Sequence, residues 1–274
     1  MTSVPNVTLD NGVVMPQLGF GVFQVPDDET TAAVTNALES GYRSIDTAAI
    51  YSNERGVGRA IAASGLPREE LFVTTKLWNE DQGYDRTLAA FDTSLDKLGL
   101  DYVDLYLIHW PTPARNLFVE TYRALEMILS DGRARAIGVS NFQVPHLEQL
   151  MEHTGITPAV NQVELHPALQ QGELRAFHAR HGIATEAWSP LAQGAILGDE
   201  AMTKIAAAHG VTPAQVALRW HIQTGNIVIP KSVTPVRIRE NVDVFGFELT
   251  DADMAALASL DRGLRTGPDP DTLN

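Results

Sequence analysis

The chain contains no cysteine, which removes disulfides, thiolate metal sites and a cysteine nucleophile together and allows a reducing compartment. Positive charge is scarce: 20 Lys and Arg against 34 Asp and Glu leave a net −14. That balance argues against a nucleic-acid or anionic-membrane surface. No apolar run approaches the ~18 uninterrupted residues of a membrane span. Met1-Thr-Ser-Val-Pro-Asn6 lacks a basic start followed by an apolar stretch. A cytoplasmic protein without nucleic-acid or membrane partners is the expectation. No Pro/Gly/Ser linker, low-complexity run or repeat breaks the 274 residues, so one domain over 1–274 is expected. A glycine-rich dinucleotide cradle is missing too. Gly56-Val-Gly58-Arg-Ala-Ile61 comes nearest, but Ile61 stands where a third small residue belongs and the stretch opens no βαβ unit.

What is present is apolar bulk, 44% of the chain, and a steady alternation of strand-like and helix-like segments. A (β/α)8 TIM barrel needs ~250 residues and fits that length. The Asn11-Gly12 pair between apolar runs predicts a β-hairpin over Val7–Met15 with a type I′ turn, plugging one barrel end. Eight units follow. Strands are expected at Gln17–Gly19, Tyr42–Asp46, Phe72–Lys76, Tyr102–His109, Ala136–Ser140, Ala159–Gln162, Ala184–Trp188 and Ile227–Pro230. Helices are expected at Thr30–Ser40, Glu54–Ser64, Tyr84–Leu98, Leu117–Asp131, Pro145–His153, Glu173–Arg180, Pro213–Gln223 and Arg237–Phe245. Two further helices, Asp199–Ala208 and Asp251–Leu260, are extra to the barrel. The tail from Arg265 to Asn274 reads as irregular, either disordered or a lid.

The stretch from Gly41 to Gly58 organises the chemistry. Asp46 falls at a strand's carboxyl end and Tyr51 five residues on, ahead of a helix for which Ser52 or Asn53 is the expected cap. Lys76 and His109 also close apolar strands, and in a parallel barrel those ends share the catalytic face. A phenol, an ammonium, a carboxylate and an imidazole around one point suit carbonyl reduction, where an oxygen gaining negative charge must be protonated as hydride arrives. Tyr51 is the natural acid. A phenol titrates at ~10, and an ammonium about 4 Å away is worth ~4 kcal/mol at an effective dielectric of 20, or roughly three pKa units before desolvation is subtracted. Asp46 would hold Lys76 charged, and His109 would hydrogen-bond the carbonyl oxygen.

The hydride donor has a candidate seat after the last strand. Thr234 can cap a helix with Pro235 at its first position, so free amides meet Lys231, Arg237 and Arg239 in an otherwise acidic chain. Ser140, Asn141 and Gln162 end two further strands and suit a nicotinamide carboxamide, and Trp188 could stack on the ring. Gly138-Val-Ser140-Asn-Phe142 resembles a nucleophile elbow without its closing glycine. Of the remaining histidines only His178 and His181 share a chelating spacing, with no carboxylate placed beside them, so no metal site is expected.

Together the Gly41–Gly58 and Ile229–Val244 stretches, with Asp46, Tyr51, Lys76 and His109 at ordered spacings, resemble the aldo-keto reductases, in the bacterial group that includes the 2,5-diketogluconate reductases. The resemblance implies NADPH-dependent reduction of aldehydes or ketones by a monomer. It places Lys231, Ser232 and Arg237 near the adenosine 2′-phosphate, Glu240 and Asn241 near adenine, and Ser189 and Leu191 along the pyrophosphate. Asp46, Ser140, Asn141, Gln162 and Trp188 complete the cofactor set. Phe23, Trp78 and Trp110, with Tyr51 and His109, form its substrate pocket. The loops Pro111–Asn116 and Ala192–Leu197 are short for a strap over the cofactor, and Trp188 replaces a commoner tyrosine or phenylalanine. Two other classes stay open: a Schiff-base aldolase or lyase using Lys76 or Lys231, and an NADPH-binding regulatory subunit.

Overall fold

The computed structural model describes residues 4–274. A short antiparallel hairpin, β1 (Asn6–Thr8) with β2 (Val14–Pro16), precedes eight parallel strands in one sheet. In chain order these are β3 (Phe20–Gly21), β4 (Ser44–Asp46), β5 (Phe72–Leu77), β6 (Val103–Ile108), β7 (Ala134–Ser140), β8 (Val160–Glu164), β9 (Ala184–Trp188) and β10 (Ile227–Val228). Each strand pairs with its neighbour in sequence. The ring closes because Val228 N–H donates to Gln17 at 2.9 Å, Gly19 N–H to Val228 at 2.9 Å and Gly21 N–H to Pro230 at 3.1 Å. The fold is the expected (β/α)8 barrel.

Burial explains why these runs are strands. Every residue of β5 and β6 is buried, as a sheet covered on both faces requires. Helices α1 (Asp27–Glu39), α2 (Glu54–Ala63), α3 (Tyr84–Leu98), α4 (Phe118–Ser130), α5 (Val144–His153), α6 (Gly172–His181), α8 (Pro213–Gln223) and α9 (Pro235–Val242) follow the strands; α7 (Glu200–His209) and α10 (Asp251–Ala258) are the additional pair. No helix among the described residues is long and apolar enough to cross a membrane.

Several local expectations are corrected. The hairpin turn is not type I′: Gly12 alone has positive φ (83°), Gly12 N–H returns to Leu9, and Asn11 instead accepts from Val13 N–H. A turn closed by one left-handed glycine needs only that residue's freedom. The first barrel strand lies at β3, after the expected 17–19, because that earlier segment is the seam to β10. Helix α1 starts at Asp27, ahead of the expected Thr30, with Asp27, Asp28 and Glu29 favoured at the positive end of the helix dipole. Neither Asn53 nor Thr234 caps with its side chain. Asn53 accepts from Thr47 Oγ1 at 2.7 Å and donates to the carbonyls of Val22 and Val25, each at 2.9 Å.

The hairpin closes the end away from the strands' carboxyl ends: Leu9 and Met15 pack with Phe72, Leu105, Ala159 and Ile227. At that same end buried Asp104 takes Arg68 at 2.6 Å and Arg135 at 2.9 Å, tying the strand starts together. Gly56 and Gly58 have a packing purpose. A Cβ at Gly58 would lie 2.3 Å from the Leu98 carbonyl, and one at Gly56 2.7 Å from that of Asp27, so the glycines let α2 press against α3 and α1.

Gly58→Ala therefore lowers Tm by several degrees, since overpacking costs about 1–3 kcal/mol and each kcal/mol is worth roughly 2–4 °C in a chain of this size. Dinucleotide affinity stays at the wild-type value in a fluorescence titration. Lost affinity at an unchanged Tm would return a binding role to these glycines.

Candidate active site

The structure brings Asp46, Tyr51, Lys76 and His109 to one place at the carboxyl ends of the strands. Asp46 is the last residue of β4, Lys76 lies one residue from the end of β5, and His109 directly follows β6. Tyr51 ends the short 3-10 turn Ala49–Tyr51, and Ser52, in the left-handed region at φ 58°, reverses the chain behind it. The Asn53 hydrogen bonds already described lock this loop to residues 22–25, which carry Phe23. Glu54 secures α2 beneath it by accepting from Thr75 Oγ1 at 2.7 Å.

At the floor lies a buried ion pair. Lys76 Nζ donates to Asp46 Oδ1 at 2.6 Å and to the Thr47 carbonyl at 2.9 Å, with both side chains nearly solvent-free. Nζ also stands 5.2 Å from the centre of the Tyr51 ring. Burial works against the ammonium, yet Asp46 and Tyr51 more than offset it, and the Lys76 pKa is raised. For Tyr51 the balance falls the other way. Burial, joined by Asp46 and Glu186, exceeds the pull of Lys76, so the phenol pKa is raised rather than lowered. The acidifying effect expected of the ammonium is present but outweighed, and the phenol is held protonated. His109 is pushed well below its usual range by burial and by Lys76, which makes it a neutral imidazole. Its Nδ1 is buried without a partner, leaving Nε2 to reach the cup.

Aromatic rings form the walls. Phe23 packs on Tyr51 at 5.0 Å between ring centres, Tyr51 on His109 at 5.6 Å, and Trp78 on His109 at 5.4 Å. Trp110 stacks on His109 at 6.3 Å and meets Trp188 at 6.4 Å. All the expected pocket residues thus share one cup.

Ser140, Asn141 and Gln162 are adjacent as expected, but they are not free groups. Ser140 Oγ donates to the Gln162 carbonyl at 2.8 Å, and Asn141 Nδ2 donates to the His109 carbonyl at 3.0 Å. Trp188 Nε1 donates to Asn141 Oδ1 at 2.8 Å. Gln162 Nε2 is committed to Asp46 and Glu186 at 2.8 and 2.9 Å. Available to a ligand are the side-chain oxygen Oε1 of Gln162 and the second lone pair of Asn141 Oδ1, acceptors that suit the N–H groups of a carboxamide.

Beyond Trp188 the backbone is strained. Ser189, Ala192 and Gln193 hold φ of 48°, 48° and 54°, each costing of order 1–3 kcal/mol without glycine, where Ser189 and Leu191 were expected to face a pyrophosphate. After β10, Lys231 and Arg237 are exposed, and neither they nor Arg239 forms an ion pair among the described residues. Ser232 is buried and accepts from Thr234 N–H at 3.1 Å; Asn241 is buried and Glu240 exposed. Unpaired cations beside a helix start fit an anionic, phosphate-bearing ligand. His178 lies elsewhere, with both ring nitrogens engaged by Asn161 and Thr185.

Two carboxylates escaped the sequence reading, Glu164 and Glu186, although each stood out as a charge inside a buried strand. Glu164 clasps the tail. Its Oε1 accepts from Thr266 N–H and Oγ1, both at 2.6 Å, and Oε2 from Gly267 N–H at 3.0 Å. Gly267 lies against Trp188, where a Cβ would come within 2.4 Å of the indole. Asn274 Oδ1 accepts from Ala114 N–H at 2.7 Å. The irregular tail is thus laid across the cup.

Residues 17–262 match the aldo/keto reductase family. An aldo-keto reductase of Mycolicibacterium smegmatis is 61% identical over 270 residues, 98% of each chain. A glyoxal reductase of Bacillus subtilis is 56% identical over 268 residues, 97% of this chain and 96% of that one. A Gox0644 mutant solved in complex with NADPH superposes with a TM-score of 0.96 at 50% identity, covering 99% of each chain. The chain belongs to the aldo/keto reductase family.

Burial raises the Glu164 pKa, but hydrogen bonds from His166, Thr266 and Gly267 more than reverse this and bring it down from 4.5 to about 2. The clasp therefore contributes fully above pH 4.5 and is lost as pH falls towards 2. Glu164→Gln speeds hydrogen exchange across residues 265–274 at neutral pH to the rate the wild type reaches in acid. Unchanged protection in that variant would mean that other contacts hold the tail.

Proposed function

We propose that Tyr51 is the proton donor in the NADPH-dependent carbonyl reduction this aldo/keto reductase carries out. The observation that carries the reading is the buried Lys76–Asp46 pair set under the phenol, with the neutral His109 across the cup. Bound NADPH supplies hydride to the carbonyl carbon. The protein's part is to hold the carbonyl oxygen, protonate it and keep water away.

His109, with its proton on Nε2, donates to the carbonyl oxygen and fixes its direction. Tyr51 then transfers its phenolic proton to that oxygen as negative charge gathers there. The phenolate left behind is stabilised by Lys76, and Asp46 keeps Lys76 charged and aimed. The raised resting pKa of Tyr51 agrees with this order: the acid waits protonated, and the ammonium lowers the cost of its ionisation as the proton leaves. Phe23, Trp78 and Trp110 surround the reacting carbon with apolar surface and favour a compact or flat carbonyl compound. The similar glyoxal reductase supports short dicarbonyls as first substrates to assay.

For the cofactor, Lys231, Ser232 and Arg237 would take the 2′-phosphate, and Glu240 and Asn241 the adenine. Ser189 and Leu191 would follow the pyrophosphate, while Asn141, Gln162 and Trp188 would seat the nicotinamide, beside Ser140 and Asp46. A site complete within one chain needs no residue from a second copy, and the reading keeps the monomer that the family resemblance implies. The cysteine-free composition agrees with a cytoplasmic setting. A Schiff-base reaction at Lys76 is disfavoured, since its amine is buried, charged and doubly hydrogen-bonded.

Tyr51→Phe abolishes reduction while the NADPH dissociation constant stays near wild type; a variant keeping more than about a tenth of the rate would remove Tyr51 from the acid role. Arg237→Ala weakens NADPH by at least about tenfold while NADH changes little, as loss of a charge-assisted phosphate contact requires. Equal losses for the two cofactors would detach Arg237 from the 2′-phosphate.

A further inference from the structure

Glu186 is a carboxyl group that the mechanism above leaves unused. It lies in the middle of β9 with no solvent exposure, opposite Gln162 in the register of β8 and β9. The Gln162 amide nitrogen reaches Asp46 Oδ2 at 2.8 Å and Glu186 Oε2 at 2.9 Å, so one NH2 group links the two acids. Glu186 Oε1 has no partner.

The charges around this amide are unequal. Asp46 has the Lys76 ammonium at 2.6 Å, whereas Glu186 forms no ion pair among the described residues. The titratable groups that act on it are Asp46 from β4, Tyr51 from the turn that follows and Lys76 from β5. On the strands to either side it stands opposite the neutral Gln162 of β8 and Ile227 of β10. Two carboxylates sharing one ammonium in a closed volume cannot both ionise cheaply, and the one without the cation keeps its proton.

We infer that Glu186 is a positioning residue of the reduction, acting through Lys76 and Asp46: as the neutral acid it leaves that pair balanced beneath Tyr51, and on losing its proton it makes Tyr51 a poorer donor. The inference rests on Tyr51 being the acid. Burial and the neighbouring Asp46 push Glu186 up to about 8, which places the change in an accessible range. Its sign is fixed by geometry. A second negative charge beside Lys76 competes for the ammonium that must stabilise the phenolate, so the rate falls as pH rises through that value.

The test is the pH profile of kcat/KM for aldehyde reduction at saturating NADPH, in wild type, Glu186→Gln and Tyr51→Phe. Wild type loses about tenfold between neutrality and one unit above the Glu186 midpoint, the fraction left protonated by a single group. Glu186→Gln still accepts from Gln162 through its amide oxygen but cannot ionise, and its profile stays flat to within about twofold over the same range. If both profiles fall with the same midpoint, the inference is overturned. An active Tyr51→Phe would instead overturn the reading of Tyr51, so the two failures are distinguishable. Should Glu186→Gln not fold, infrared difference spectra of the wild type decide. A protonated buried carboxyl band at neutral pH that disappears on alkalinisation supports the inference, and its absence overturns it.

Discussion

An ammonium and a carboxylate at 2.6 Å, both almost wholly removed from water, are the constraint around which the rest of this molecule is arranged. Desolvating each ion costs several kcal/mol, and their mutual attraction returns this only when the remaining protons and lone pairs are satisfied. The barrel supplies those partners: the Thr47 carbonyl just after β4 for Lys76 and the Gln162 amide of β8 for Asp46. Such a pair is weak evidence for stability. Its position below the Tyr51 ring makes a chemical reason for keeping it.

Burial has opposite consequences for the groups around that pair. It holds Tyr51 protonated and His109 neutral, the states in which each can donate to a carbonyl oxygen. Lys76 resists the same burial because Asp46 and Tyr51 favour its charge. The unequal outcome follows from which group has an opposite charge within reach. A fixed ammonium that does little for the resting phenol does most when the phenolate forms, which is the differential stabilisation catalysis requires.

Much of this was legible in the sequence because strand ends are marked chemically. Asp46, Lys76 and His109 interrupt or close apolar runs, and a parallel barrel gathers such positions on one face. The order of strands and helices could be read for a related reason: segments covered on both faces are largely apolar, as in β6. The first strand was misplaced because two residues of it and a seam segment cannot be told apart by composition. Asn53 looked like a helix cap, since only tertiary structure brings the Val22 and Val25 carbonyls to its amide. The net acidity of Tyr51 was out of reach because spacing reveals the ammonium but not the burial that outweighs it. Glu164 and Glu186 were visible as charges in strands, but their partners, a tail about a hundred residues away and an amide on the neighbouring strand, belong to the fold alone.

Lys76 lowers the cost of ionising Tyr51. The direct measurement is carbon NMR of ring-labelled tyrosine, with the Tyr51 resonance assigned by its loss in Tyr51→Phe, followed from neutral to alkaline pH in wild type and in Lys76→Met. The phenol should stay protonated through neutrality in both proteins and ionise at a higher pH when the ammonium is gone. Identical titrations, or earlier ionisation in Lys76→Met, would contradict it.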